Sequence, residues 1–449
     1  MTIPASWKQT ELGEILLSIV GGGTPSKSIQ SYYEGNIPWM SVKDMNRNIL
    51  HDTVDHISEE AVKNSSTNVI PSGTPIVATR MSLGKIIVAN FDSAINQDLK
   101  ALFPASGVNR EYLIDWYRSI SRKIEELGTG TTVKGIRLDV LKSLEFPLPP
   151  PEEQKVIADK LDTLLTQVET TKTHLERIPE ILKTFRQSVL AAAVSGKLNA
   201  GDYQQAPVYK ALGDVGVEVK TGPFGSALHK SEYISGGIPV INPMHISNGT
   251  IVASQQMTIP KAKYDELEAW HLKIGDVVVG RRGEMGRAAV VNYKGEMLCG
   301  TGSMILRTPK NSLPKYLEII LRSPLAVEYF TSNSVGSTMV NLNQKIIKSL
   351  QVHFPSQEEQ TEIVRRVEKL FAYADKVEAQ VKTAQARVNQ LTQSILAKAF
   401  RGELTANWRA ANPELISGEN SAEALLVIIK NERAKLSQTK KGRGKSVEN

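Results

Sequence analysis

Three polar, glycine-containing stretches carry the side chains with chemistry to offer, and each occurs twice. The first, Gly22-Gly23-Thr24-Pro25-Ser26-Lys27, faces Gly222-Pro223-Phe224-Gly225-Ser226, with His229 and Lys230 just beyond. The second, Thr79-Arg80-Met81-Ser82-Leu83-Gly84-Lys85, faces Arg281-Arg282-Gly283-Glu284-Met285-Gly286-Arg287. The third, residues 128–137 with Thr131, Thr132, Lys134 and Arg137, faces residues 335–345 with Ser337, Thr338, Asn341 and Asn343. Hydroxyls and backbone N–H groups beside glycines suit phosphate oxygens, and Arg, Lys and Asn suit base edges in a major groove. A single loop of this kind reads as a hairpin turn with solvated charges. Recurrence of all three sets the binding reading level with that plain one, and the differences between copies, Arg80 against Arg281-Arg282 and Lys134 against Asn341, point to two unlike half-sites.

Catalytic chemistry has no comparable foothold. The chain contains no GxxxxGK[ST] phosphate loop, no GxSxG elbow and no HExxH pair. His51 and His56, in HDTVDH, lack a third ligand and read as surface residues. Gly128-Thr129-Gly130 has Val133 where a dinucleotide loop needs its third glycine, and the single cysteine, Cys299, reads as a small buried residue. No catalytic residue and no metal ligand are assigned.

The elements that must position the loops are legible as a repeat. Glu152-Glu153-Gln154 recurs as Glu358-Glu359-Gln360, an offset of 206, and at that offset residues 185–198 match 391–404 without a gap. Between these anchors Ile157, Leu161, Leu164, Val168, Thr171, Leu175, Ile178, Leu182, Phe185 and Val189 alternate in steps of four and three. Ile363, Val367, Leu370, Ala374, Val377, Val381, Ala384, Val388, Leu391 and Ile395 do the same. This spacing predicts a coiled-coil seam on each of two helices, each a rod of roughly 65 Å. Pro-rich entries with acids in the first turn start them, and Gly196 and Gly402 stop them. Pro179 bends the first rod without breaking it. An isolated seam reads as self-association; two in-register copies in one chain predict antiparallel packing of one helix on the other, with a globular repeat at each end.

Each globular repeat reads as mixed α/β. Strands are expected at 37–42, 74–78, 85–89 and 99–103, and again at 238–241, 276–280, 288–292 and 303–307. Helices near 110–127 and 314–330 complete the pair, and periodicity leaves the sheet order open. The fold class is α+β with a pseudo-two-fold internal repeat.

Composition sets the outer bounds. A chain of 449 residues, 41% hydrophobic and 22% charged, is globular and too long for one core. Its apolar runs, such as 189–194 and 425–429, are far short of the ~20 residues of a membrane helix, and no secretory signal is read at the start. A cytoplasmic protein with no membrane contact is expected. From Lys430 onward seven basic residues stand against Glu432 and Glu448, which accounts for five of the net seven positive charges. That tail reads as a solvated, disordered end, and the rest of the chain is nearly neutral.

Taken together, GGGTPS with YYEGNIPW, LPPPEEQKVIADKLDTLL, FRQSVLAAAVSGKL, FPSQEEQTEIVRRVEKLFAYAD and the block at 386–420 resemble the specificity subunit of type I restriction–modification enzymes, subclass A above all. The resemblance covers essentially the whole chain. It implies target-recognition domains at 1–150 and 199–356, conserved helices at 151–198 and 357–404, and a C-terminal block with a basic tail at 405–449. It implies a non-catalytic subunit that reads double-stranded DNA. Two methyltransferase subunits would carry S-adenosylmethionine and methylate adenine, and two restriction subunits would use ATP and Mg2+. Docking of these partners is expected on the non-seam helix faces, at Gln154, Lys160 and Gln187 and at Gln360, Arg366 and Gln393. The block 408–413 is expected to pack on the N-terminal domain or a partner. The alternative is a coiled-coil scaffold without DNA readout.

Overall fold

The computed structural model describes residues 3–46, 49–130, 133–199, 208–224, 227–334 and 341–444. The chain forms two compact units, Met1–Thr173 with Gln385–Asn449, and His174–Ala384. Two helices of 44 residues, Pro151–Val194 and Gln357–Phe400, run on from one unit into the other, so each unit holds one globular repeat and part of each rod. Pro179 lies inside the first helix without ending it.

Within each unit the rods are antiparallel. In the first, Ile157 and Leu161 share a core with Leu396, Ala399 and Phe400. In the second, Val189, Leu190, Ala193 and Val194 share one with Ile363 and Val367. The heptad residues are buried or half-buried except Thr171 and Leu391, which are exposed. Counted along the register that sets Lys160 beside Leu404, the two stand at one level, where the seam has its one polar residue. The rod ends are tied alike: Lys160 Nζ donates to the Leu404 carbonyl at 3.2 Å, and Arg366 Nη1 donates to the Leu198 carbonyl at 2.8 Å.

The globular repeats share one plan. In the first, a five-stranded sheet has the order Leu16–Gly21, Leu99–Pro104, Pro75–Ala78, Ile86–Ala89, Ile49–Leu50. Its counterpart runs Glu218–Thr221, Ser303–Arg307, Val277–Gly280, Ala288–Val290. Pro75–Ala78 and Val277–Gly280 are buried along their whole length, which is why they read as short unbroken apolar runs. A second sheet in each repeat contains a parallel pair, Ile37–Met40 with Ser93–Ile95 and Ile238–Ile241 with Leu298–Cys299. The helices expected as single pieces are each split, into Arg110–Ser119 and Ser121–Leu127, and into Pro314–Arg322 and Pro324–Asn333. In the second case Pro324 forces Ser323 into an extended conformation, and Ser323 then caps the next helix.

Each repeat is fastened to the rods in the same way. Lys8–Glu11 pairs with Glu145–Leu148, and Tyr209–Ala211 pairs with Gln351–His353. Tyr112 Oη donates to the Pro147 carbonyl at 2.7 Å, and Tyr316 Oη to the His353 carbonyl at 2.9 Å. The rings of Tyr112, Trp116, Phe146 and Phe400 then join sheet, helix and rod in one aromatic cluster.

The segment around Trp7 and the block at 405–409 meet in the first unit. Glu153 is fully buried and accepts hydrogen bonds from Trp7 Nε1 at 2.8 Å, from Thr405 Oγ1 at 2.7 Å and from Arg409 Nη1. Trp408 is half-buried, and the Arg409 guanidinium lies over the Trp7 ring, so this block does pack on the N-terminal segment. The tail departs from the disordered end expected of it. Ala422–Gly444 is a helix whose Leu425 and Ile429 enter the first core, while Glu432 accepts from Ser106 and Arg433 donates to the Glu14 carbonyl. The apolar run 424–429 supplies the buried face that net charge does not reveal. Glu153→Ala strands the Arg409 guanidinium and the Trp7 N–H, and should cost about 2–4 kcal/mol in urea unfolding. The counterpart Glu359, which is only half-buried, should cost less than about 1 kcal/mol when replaced by alanine.

Candidate nucleic-acid interface

In the first repeat the first two loops meet residues 95–98, and the third joins them through the second. Gly23 N donates to the Ile95 carbonyl at 3.1 Å, and Thr24 Oγ1 donates to Gln97. Thr79 gives both its N–H and its hydroxyl to the Asp98 carbonyl, at 2.8 and 2.9 Å. The third loop joins the second through an antiparallel bridge of Arg80 with Gly135 and through Met81 N to the Lys134 carbonyl at 3.0 Å. Lys27, Arg80, Lys85, Lys134 and Arg137 are exposed on the three loops so joined. Arg80 alone of them has a buried counter-charge, the Asp98 carboxylate 3.7 Å away. Burial pushes the nearby Lys100 ammonium down, and Asp98 partly offsets this.

The second repeat builds the same hub from residues 300–303. Gly222 N donates to the Ser303 carbonyl and Arg281 N to the Gly302 carbonyl. Arg282 bridges Asn341, Arg281 Nε donates to Asn341 Oδ1 at 3.0 Å, and Leu342 N donates to the Arg281 carbonyl. Burial, and then the charge of Arg282, push the Arg281 guanidinium pKa down. Among the described residues no carboxylate lies within ion-pair distance of either arginine, so this hub carries two uncompensated cations where the first balances one. Two glycine-braced faces that share the backbone bonds joining their second and third loops, with unlike side chains, are thus present, one in each unit.

Comparison with known proteins fits that duplication. The type I restriction modification DNA specificity domain matches twice, over residues 4–180 and 208–384. The chain belongs to this family. Among curated relatives, the EcoBI specificity subunit of Escherichia coli is 42% identical over 322 residues, covering 68% of each chain. The EcoDI specificity subunit of the same species is 34% identical over 99% of each. The HsdS subunit of Thermoanaerobacter tengcongensis, 19% identical, has the same fold with a TM-score of 0.60, covering 90% of this chain and 98% of that one.

Within this specificity subunit the sequence-derived candidates divide. Lys27, Arg80, Lys85, Lys134, Arg137, His229, Lys230 and Arg282 are exposed, as is Ser26, whose hydroxyl lies 2.8 Å from that of Ser28. Thr79 is buried against the hub, Arg287 is held by Glu284 and the Pro243 carbonyl, and Asn343 caps the helix Gln344–Lys348. Those three are spent on building the loops. Thr131, Thr132, Ser226, Ser337 and Thr338 lie outside the described residues. The pairing of Lys134 with Asn341 is off by one: Ile136 N to the Thr79 carbonyl matches Leu342 N to the Arg281 carbonyl, so Gly135 is the counterpart of Asn341.

The expected docking residues divide as well. Gln154 and Gln360 are fully buried and bonded to backbone, which removes them from any docking surface, while Lys160 and Arg366 tie the rod ends. Gln187 and Gln393 are exposed. Gln97, between the first two loops, lies outside the glycine-containing stretches, and Gln344, near the end of the third, donates to Thr221 Oγ1 at 3.1 Å. Cys299 is buried, which pushes its thiol pKa up. His56 bonds Asp52, and His51 bonds Asn90. Among the described residues no cluster of three or more His, Cys, Asp or Glu is placed to hold a metal, and no helix is long and apolar enough to cross a membrane.

The hubs depend on close backbone approach. A Cβ on Gly22 would stand 1.7 Å from the Ile95 carbonyl oxygen, and one on Gly222 would stand 2.1 Å from that of Gly300. Gly22→Ala and Gly222→Ala should each destabilise their own unit by about 1–3 kcal/mol. Urea unfolding followed by probes in each unit would show it, and unchanged midpoints would mean that the hubs are not rigid.

Proposed function

We propose that this subunit gives a type I restriction–modification complex its sequence preference by reading an asymmetric, two-part target in double-stranded DNA, one part with each repeat. The observation that carries the reading is the pair of three-loop faces, alike in the backbone bonds joining their second and third loops and different in exposed cations. Arg80 beside Asp98 and Arg282 beside Arg281 present guanidinium forks suited to guanine O6 and N7, while Lys27, Lys85, Lys134 and Lys230 suit phosphates. Two continuous helices through both units would fix the spacing between the parts. The chain acts without catalysis of its own: S-adenosylmethionine would be held by two methyltransferase subunits, and ATP with Mg2+ by two restriction subunits, in the cytoplasm. Exposed positions such as Gln187 and Gln393 remain on the rod faces offered to those partners. The domain limits 1–150 and 199–356 belong to this same reading.

Mapping methylated adenines across the genome of a host carrying this chain with its partners should give one motif in two unlike parts with a fixed gap. An uninterrupted motif, or no motif, would overturn the proposal and favour a scaffold. Arg282→Ala should weaken binding by about 1–3 kcal/mol and relax one part only. Arg80→Ala should relax the other part, and binding by duplexes varied at single positions measures both.

A further inference from the structure

Two described residues other than glycine have positive φ, Met81 at 64° and Asn248 at 48°. Asparagine tolerates that region because its short polar side chain bonds locally; methionine has no such help. Met81 sits at the apex of the second loop, where Ser82 N donates back to the Arg80 carbonyl at 2.7 Å in a three-residue turn of the strained hand. The bond from Met81 N to the Lys134 carbonyl holds the apex in place. Packing does not compensate for the strain, because the residue is 63% exposed. At the equivalent position the second repeat has Gly283, with φ 78°, which the same turn accepts freely. A long apolar side chain is therefore held out to solvent, between Arg80 and Lys134, on a backbone that suits glycine better.

Strain kept at an exposed apex with no internal contact to explain it points to an external one. We infer that Met81 is a specificity-determining residue of the first repeat, packing its side chain on the 5-methyl group of a thymine in that repeat's part of the target. The inference rests on the DNA reading proposed above. The choice of thymine follows from the neighbour: Arg80 on the same tip suits acceptors of the major groove, and there the one apolar feature on any base edge is the thymine methyl.

The test uses the full chain assembled with its modification subunits, as wild type and as Met81→Gly. Because glycine is at home at this φ, Tm should stay level or rise, while affinity for the target falls about tenfold. Replacing thymines singly by deoxyuridine should reveal one position, in the first part of the target, where wild type loses affinity and Met81→Gly does not. A drop in Tm, unchanged affinity, a first part without thymine, or indifference of wild type to every deoxyuridine would each overturn the inference. So would a rise in 2-aminopurine fluorescence next to the contact, which would mean a wedge between bases rather than a methyl contact. If wild type itself shows no two-part preference, the DNA reading falls with it. If that preference is intact and Met81→Gly shares it fully, this inference falls alone.

Discussion

The amide of Gln154, buried in the first turn of the first long helix, is the joint on which the aim of the first repeat depends. Its carbonyl accepts from Asn109 N at 2.8 Å, and its NH2 donates to the Pro149 carbonyl at 3.0 Å. Asn109 is the cap of the repeat's own helix Arg110–Ser119, so one side chain links the rod, its proline entry and the globular layer. Gln360 repeats the joint with Leu313 N at 2.9 Å and the Pro355 carbonyl at 2.8 Å. A buried amide left unpaired costs about 1–3 kcal/mol, so neither repeat can pivot on its rod without breaking both bonds at once. Reading DNA at a defined register needs such stiffness, because contacts a few ångströms out of place are worth nothing.

Given that stiffness, the loops are free to vary. Both hubs are made of backbone hydrogen bonds and close glycine contacts, which do not depend on the exposed side chains. The first repeat places Asp98 beside Arg80, which lowers the net charge of that loop tip. The second places Arg281 beside Arg282, with no described carboxylate within ion-pair distance of either. A shared scaffold with differently placed charges lets the two faces differ while the frame recurs within one chain.

What the sequence revealed follows from where its signals are strong. The rods and their seams were legible because burial imposes a period and a second copy at offset 206 removes chance matches, and eight of the twenty-two described strands were legible as short apolar runs. Sheet order was not, since strands of two to six residues buried on both faces carry no alternation. The docking role given to Gln154 and Gln360 failed for an instructive reason. Heptad logic assigns a helix one neighbour, and both glutamines continue the four-three spacing one step before Ile157 and Ile363, where the globular repeat rather than the other rod covers the face. The one-residue error at Asn341 arose in a loop where no hydrophobic position fixes register. The tail was judged by net charge, although its buried Leu425 and Ile429 stand four apart, one helical turn.

The two units also solve a topological problem differently. In the second, the chain leaves the first rod at Gly196 and returns as the strand Tyr209–Ala211, so rod and sheet are joined covalently. In the first, the corresponding junction joins the end of the second rod to the segment around Trp7 through side-chain contacts. That is where the buried Glu153 sits, with Trp7 from one side and Thr405 and Arg409 from the other. Its counterpart Glu359 has only His353 at 3.9 Å, and needs no more because the chain itself makes the connection. The two repeats therefore differ electrostatically at this joint: the buried Glu153 links two segments distant in sequence, and among the described residues Glu359 makes no such link.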